Sequence, residues 1–156
     1  MGVIEAICVS REKGVVKTPV SEVYVRTDWG IVGDAHADTW HRQVSVLAAE
    51  SIERMRKGIP WLEQGMFGEN LVTKGIDIFA LSVGDKLIID GGVLLEITQI
   101  GKECHNQGCS IQKATGDCIM PKEGLFCRVL QGGTVRPGLD VKRVKKSTDI
   151  PAPESK

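Results

Sequence analysis

The chain has 156 residues, the length of one ordinary domain. Lysine plus arginine and aspartate plus glutamate each total 20, so the formal net charge is zero and no broad basic field exists to collect nucleic acid or an acidic membrane surface. Hydrophobic residues make up 42% and aromatics only 4%, so the core must be built from Val, Ile and Leu, and no apolar run approaches the ~18 residues of a membrane span.

The opening residues are strand-like and carry an acid early. No basic segment precedes an apolar one, so no secretory signal is expected and the protein is read as cytoplasmic. In that compartment five cysteines are expected to be reduced, metal-binding or catalytic rather than paired in a disulfide framework.

Val3–Ser10 is β-rich and reads as a strand. Arg11–Pro19 reads as a turn around Gly14, with Arg11, Lys13 and Lys17 close together, and Val20–Arg26 as a second strand. Gly30–Arg42 is glycine- and polar-rich without a period, hence a loop, and Gln43–Leu47 is a short strand. Ala48–Lys57 is the best helix, with strong formers, an apolar stripe at Ile52 and Met55, and a stop at Gly58–Pro60. The compact GMFGENL motif ends in Leu71–Val72. From Ile78 the pattern is β again, with a turn at Ala80–Asp85, a strand at Lys86–Asp90, a tight turn at Gly91-Gly92 and a return strand at Val93–Ile100. Leu125–Gln131 fits a strand or a short helix, and Asp140–Val144 a last strand. Residues 1–145 are read as one domain and 146–156, polar with two prolines, as a flexible tail. Many short strands, glycine turns and one good helix predict a mainly β domain, a barrel or a sandwich.

Three stretches carry candidate chemistry. In Gly33–Gln43, His36, His41 and Arg42 gather on a loop beside a strand. There Arg42 can clamp a phosphate with a histidine assisting, or Asp34 can cap local N–H groups while Arg42 pairs with an acid. In Gly68–Leu71, Glu69 and Asn70 can fix a turn through side-chain-to-backbone bonds or line a pocket. Gly101–Gly124 holds Cys104, Cys109 and Cys118 together with His105, Lys102 and Lys122. Cys104, His105, Cys109 and Cys118 offer four zinc ligands within fifteen residues, in a spacing that matches no common zinc template. The alternative is one low-pKa thiolate that binds a soft metal or acts as a nucleophile, favoured by the nearby cations. Cys8 and Cys127 sit in apolar runs and are expected to be buried as small hydrophobes.

The set GDAH…WHRQVS, FGENL, LSVGDKLII, LEITQIGKECH and GDCIMPKEGLFCRVL, ending in GGTVRPG, resembles the MOSC domain, named for the C-terminal domain of molybdenum cofactor sulfurases. It is most similar to small stand-alone bacterial members, over roughly Val3–Val144. The resemblance implies a mainly β, MOSC-type β-barrel with one or two short helices. It also implies binding of molybdenum cofactor (molybdopterin), a pterin carrying a phosphate and a dithiolene-held metal. A loop cysteine would carry sulfur or ligate molybdenum: Cys109 and Cys104 fit equally, and Cys118 can pass or hold sulfur. Arg42, His36, His41, Asp34, Lys13 and Lys17 are then candidates to hold the phosphate and pterin, with Glu69 and Asn70 at the pterin edge or in the pocket wall. The implied role is sulfur carriage or metal ligation in cofactor maturation or delivery, with a molybdoenzyme or a cysteine desulfurase as partner. The alternatives are a molybdenum-dependent reductase of N-hydroxylated compounds and a zinc-stabilised β interaction module.

Overall fold

A computed structural model describes residues 2–12, 15–101 and 124–145. Among these residues eleven strands are formed: β1 (Gly2–Val9), β2 (Thr18–Val20), β3 (Val23–Arg26), β4 (Gly30–Ile31), β5 (Val44–Ala48), β6 (Leu71–Lys74), β7 (Lys86–Ile89), β8 (Val93–Ile100), β9 (Leu125–Gln131), β10 (Gly133–Val135) and β11 (Asp140–Val144). The helix α1 spans Ala49–Arg56. The large sheet runs β11-β7-β8-β9-β5-β6-β1-β2, and an extra β1–β11 pairing closes its first seven strands into a barrel. The seam rests on Gly2 opposite Val141 and Val3 opposite Asp140. A second sheet, β10-β3-β4, lies outside the closed ring. Among the described residues no helix is long and apolar enough to cross a membrane.

The alternation of the strands sorts the core into two layers. Ile4, Val44, Val46, Leu71, Leu87, Ile89, Val93, Leu95, Ile97, Cys127, Val129 and Val141 belong to one buried cluster. Ala6, Leu47, Val72 and Phe126 form a second cluster with Ile52, Ile59, Leu62 and Phe67 from the helix and the segment after it. This is why β5, VSVLA, is buried at every position. It pairs parallel to β6, and α1, which connects them, covers its outer face. Glu50 lies in the first turn of α1 and Arg54 and Arg56 in the last, as the helix dipole favours. Glu50 Oε2 also accepts from Gly75 N at 2.8 Å, tying the helix start to the end of β6.

Four local expectations need correction or completion. Val20–Arg26 is not one strand: Ser21 and Glu22 break it, leaving Val20 paired to β1 and Val23–Arg26 in the second sheet. Thr18 and Pro19 are strand rather than turn, and Pro19 is tolerated because β2 ends the large sheet. Ile78–Ala80 is a 3-10 turn capped by Asp77, whose Oδ1 accepts from Phe79 N at 3.1 Å. Leu125–Gln131 is a strand, and the connection after it contains the short β10.

β8 and β9 carry the geometry that matters for function. Their pairing is interrupted between Ile97 and Gln99, leaving Thr98 as an extra residue. Beyond it Ile100 pairs with Leu125, and Gly101 N donates to Gly124 O at 2.7 Å. The two ends of the cysteine-bearing segment are thereby held side by side.

Gln43 completes this frame from the other side of β9. It is fully buried; its Oε1 accepts from Val129 N at 2.9 Å and its Nε2 donates to Asp28 Oδ1 at 3.0 Å. Gln43→Leu leaves the Val129 N–H without an acceptor in a dry environment. A urea melt should show a loss of about 1–3 kcal/mol, the usual cost of an orphaned buried donor.

Candidate functional site

The loop after β4 is built around Asp34. Its Oδ1 accepts from Ser10 N at 3.0 Å and from Lys17 Nζ at 2.8 Å, and its Oδ2 accepts from His36 N at 3.1 Å. Lys17 is 1% exposed, and its ammonium also reaches Ser10 Oγ at 3.1 Å and His36 Nδ1 at 3.0 Å. Burial pushes the Asp34 carboxyl up. The hydrogen bonds from Lys17 and Ser10, with the charge of Lys17, outweigh it and hold the group below its ordinary value of 3.8. Asp34 thus plays the capping part expected of it. Lys17, a candidate ligand donor from sequence, directs its ammonium inward to three protein acceptors.

The next turn of the loop arranges aromatic rings and a guanidinium. Trp40 Nε1 donates to His36 O at 2.9 Å. Arg42 Cζ lies 4.7 Å from the centroid of Trp40 and 5.7 Å from that of Phe126, the second residue of β9. Arg42 Nε is buried and has no hydrogen-bond partner, and among the described residues no acid pairs with the guanidinium. A cation held against two rings, with no carboxylate partner among the described residues, is suited to donate to an anionic ligand. His41 is exposed and its Nδ1 lies 3.3 Å from Thr98 Oγ1. That hydroxyl is also 2.6 Å from His41 O, which brings the loop down on the β8 bulge.

Glu69 and Asn70 face inward, each with 0% exposure. Glu69 accepts from Gly65 N at 2.7 Å and Phe67 N at 3.1 Å, so it holds the GMFGE turn from inside. Burial pushes its carboxyl up, and those N–H groups only partly offset it. Gly65 has φ +92° and lies so close to the Lys17 carbonyl that a Cβ would overlap it. The turn therefore also supports the Lys17 backbone. Asn70 Oδ1 accepts from Ser45 N at 3.1 Å, and its Nδ2 donates to Cys8 O at 3.1 Å. The bonds of Glu69 match the turn-fixing reading, whereas those of Asn70 are long-range and tie the start of β6 to β5 and β1.

Cys8 and Cys127 are buried free thiols, as their apolar runs implied, and burial raises each to about 12. Cys104, Cys109, Cys118 and Lys13 lie outside the described residues. Among the described residues no group of three or more His, Cys, Asp or Glu side chains is placed to hold a metal ion. Reading the sequence left Trp40, Thr98 and Phe126 without a role. The only signal for them is position: Trp40 precedes the His41-Arg42 pair, Thr98 lies two residues before the end of a strand, and Phe126 follows the cysteine segment.

The fold and site define a small closed β-barrel protein with a polar loop, centred on an arginine that no described acid pairs, beside the roots of a cysteine-bearing segment. The model of the family described as MOSC domain matches residues 33–142, and the chain belongs to that family. Solved structures share the fold. The YuaD protein from Bacillus subtilis has a TM-score of 0.77 at 19% identity, over 94% of this chain and 97% of that one. YiiM from Geobacillus stearothermophilus has 0.70 at 21%, over 95% and 77%, and YiiM from Escherichia coli 0.68 at 18%, over 96% and 72%. Among curated proteins none matches the chain by sequence.

Two outcomes follow from this geometry. Lys17→Met leaves the Asp34 carboxylate buried without its counter-charge and should cost about 3–5 kcal/mol in a denaturant melt, with part recovered in Lys17→Met/Asp34→Asn. Because the Asp34 value is depressed on folding, its contribution is present above 3.8 and is lost as pH falls below that value. The acid limb of the stability profile should accordingly flatten in Asp34→Asn. Separately, Cys8 and Cys127 should resist alkylation by iodoacetamide at pH 8 in the native protein and react only on unfolding, as peptide mapping by mass spectrometry would show.

Proposed function

We propose that this protein binds molybdenum cofactor and handles sulfur or the metal through a thiol of the Gly101–Gly124 segment, in cofactor maturation or delivery. Membership of the MOSC family supports a molybdenum-cofactor-related role. The observation that carries the reading further is Arg42. A guanidinium stacked between Trp40 and Phe126, with its Nε buried and unpartnered, suits a phosphorylated ligand better than a structural ion pair. Phe126 stands two residues past Gly124, so this cation borders the segment that bears Cys104, Cys109 and Cys118.

On this reading the chain's own residues do three things. Arg42 holds the ligand's phosphate, with His41 and His36 as neighbouring donors. The Asp34 and Glu69 turns keep the loop in shape. A cysteine thiolate supplies the soft ligand that molybdenum or persulfide sulfur requires, which carboxylates do not provide. The cofactor, when bound, supplies the metal and its dithiolene sulfur. Cys104 and Cys109 are the leading thiols, with Cys118 behind them. Lys13, on the first connection, is a further candidate donor.

The test is direct. Protein expressed in a cofactor-competent host should carry molybdenum and pterin, measured by elemental analysis and by fluorescence of the oxidised pterin. Arg42→Ala should lower pterin content by tenfold or more, as expected for losing a charged phosphate contact. Cys104→Ser, Cys109→Ser and Cys118→Ser should identify the thiol by loss of molybdenum or of transferable sulfur. Absence of pterin in the wild type after expression in such a host, together with no binding of added cofactor, would overturn the proposal.

A further inference from the structure

Three contacts of His36 bear on its ring chemistry. Asp34 Oδ2 takes its backbone N–H at 3.1 Å, Trp40 Nε1 donates to its carbonyl at 2.9 Å, and Lys17 Nζ lies 3.0 Å from its ring Nδ1. The last contact decides its chemistry. An ammonium has three N–H donors and no lone pair. Lys17 faces three acceptor positions, Asp34 Oδ1 at 2.8 Å, His36 Nδ1 at 3.0 Å and Ser10 Oγ at 3.1 Å, in a site where its side chain is fully buried. Burial of a charge is tolerated only when it is paired and its donors are used, and here all three have takers. Asp34 Oδ2 lies 3.8 Å from the same Nδ1, beyond hydrogen-bond reach, so the shorter contact decides: Nδ1 accepts from Lys17, and the ring proton sits on Nε2.

We infer that Lys17 is a positioning residue that locks His36 as a neutral imidazole with its proton on Nε2, so that what this ring presents to an oxyanion is a hydrogen-bond donor rather than a base or a metal ligand. Nδ1 is committed to the ammonium. Nε2 carries a proton and has no lone pair in the ring plane for a metal. The His36 side chain is 33% exposed, so the ring reaches the surface while its anchor stays dry. Trp40 joins the two halves of the device: its indole N–H fixes the His36 carbonyl, and its ring carries the Arg42 guanidinium at 4.7 Å. One lysine that never meets the ligand thereby determines what the neighbouring imidazole offers it. Choosing an oxyanion as the acceptor rests on the cofactor reading above; the tautomer does not.

The tautomer is read first, with no ligand present. In the 15N-labelled full chain at pH 7, long-range 1H–15N correlations of the His36 ring, assigned by their loss in His36→Gln, should show a bare Nδ1 and a protonated Nε2. A proton on Nδ1, or a doubly protonated ring, would overturn the inference. In folded Lys17→Met/Asp34→Asn, which removes both buried charges together, His36 should become a mixture of tautomers while His41 keeps its pattern. An unchanged His36 in that variant would show that Lys17 is not what sets it.

The donor role is read with inorganic phosphate as the probe. The His36 Nε2–H resonance should shift on titration. His36→Gln, which places an amide N–H near the same position, should keep phosphate affinity within about twofold, while His36→Leu should lose about tenfold, the scale of a hydrogen bond to a charged acceptor. No shift at Nε2–H, or equal behaviour of the two variants, would overturn the donor role even where Lys17→Met/Asp34→Asn fails to fold. Should the tautomer and phosphate response hold while no pterin binds, the cofactor proposal falls and this one stands.

Discussion

The contact that organises the functional half of this molecule is the buried ion pair between Lys17 and Asp34. Its two partners come from separate connections, one between β1 and β2 and the other after β4, and neither has regular structure among its described residues. An ammonium removed from water must find acceptors for all its protons, and a carboxylate must find donors. That demand pulls Ser10, His36 and the Lys17 backbone into one arrangement. Gly65 then presses against the Lys17 carbonyl from a third connection, whose shape Glu69 sets from within. Ser10, Lys17, Asp34 and His36, which look independent along the chain, are in fact joined in one network of hydrogen bonds.

The barrel supplies what the loops cannot. Its inner face is aliphatic, so it gives rigidity without specificity. Specificity begins where the ladder fails: at the Thr98 bulge, where a strand residue is freed to meet His41, and at Phe126, whose ring packs in the outer layer and carries the Arg42 guanidinium. The same two strands that deviate there also bracket the cysteine-bearing segment. Arg42, which no described acid pairs, lies against Phe126 on one of those two strands.

Much of this was legible in the residues. The strands at Val44, Lys86, Val93 and Asp140 and the helix at Ala49 lie within a residue or two of expectation, because alternation, runs of helix formers and glycine turns are local signals. Pairing is not local. Nothing in VSEVYVR says that its first residue joins one sheet and its last four another, or that GTV returns to lie beside VYV. LFCRVLQ was ambiguous because a short apolar run buried on both faces has no diagnostic period. Within the site, Asp34 and Arg42 stood out by type and company. The burial of Lys17 did not, since it sits among cations at an apparent surface turn and its partner lies seventeen residues away. Glu69 was legible as a turn-fixer because a carboxylate just after glycine has backbone N–H groups within reach.

Closure of the barrel has a consequence for biosynthesis. The ring is fastened by Gly2 and Val3 against Asp140 and Val141, residues from opposite ends of the described chain. During synthesis the first strand must wait for the last to leave the ribosome before the circle is complete, and until then the edges of β1 and β7 lie open. A fold fastened so late is expected to mature slowly and to depend on chaperones more than its modest size suggests.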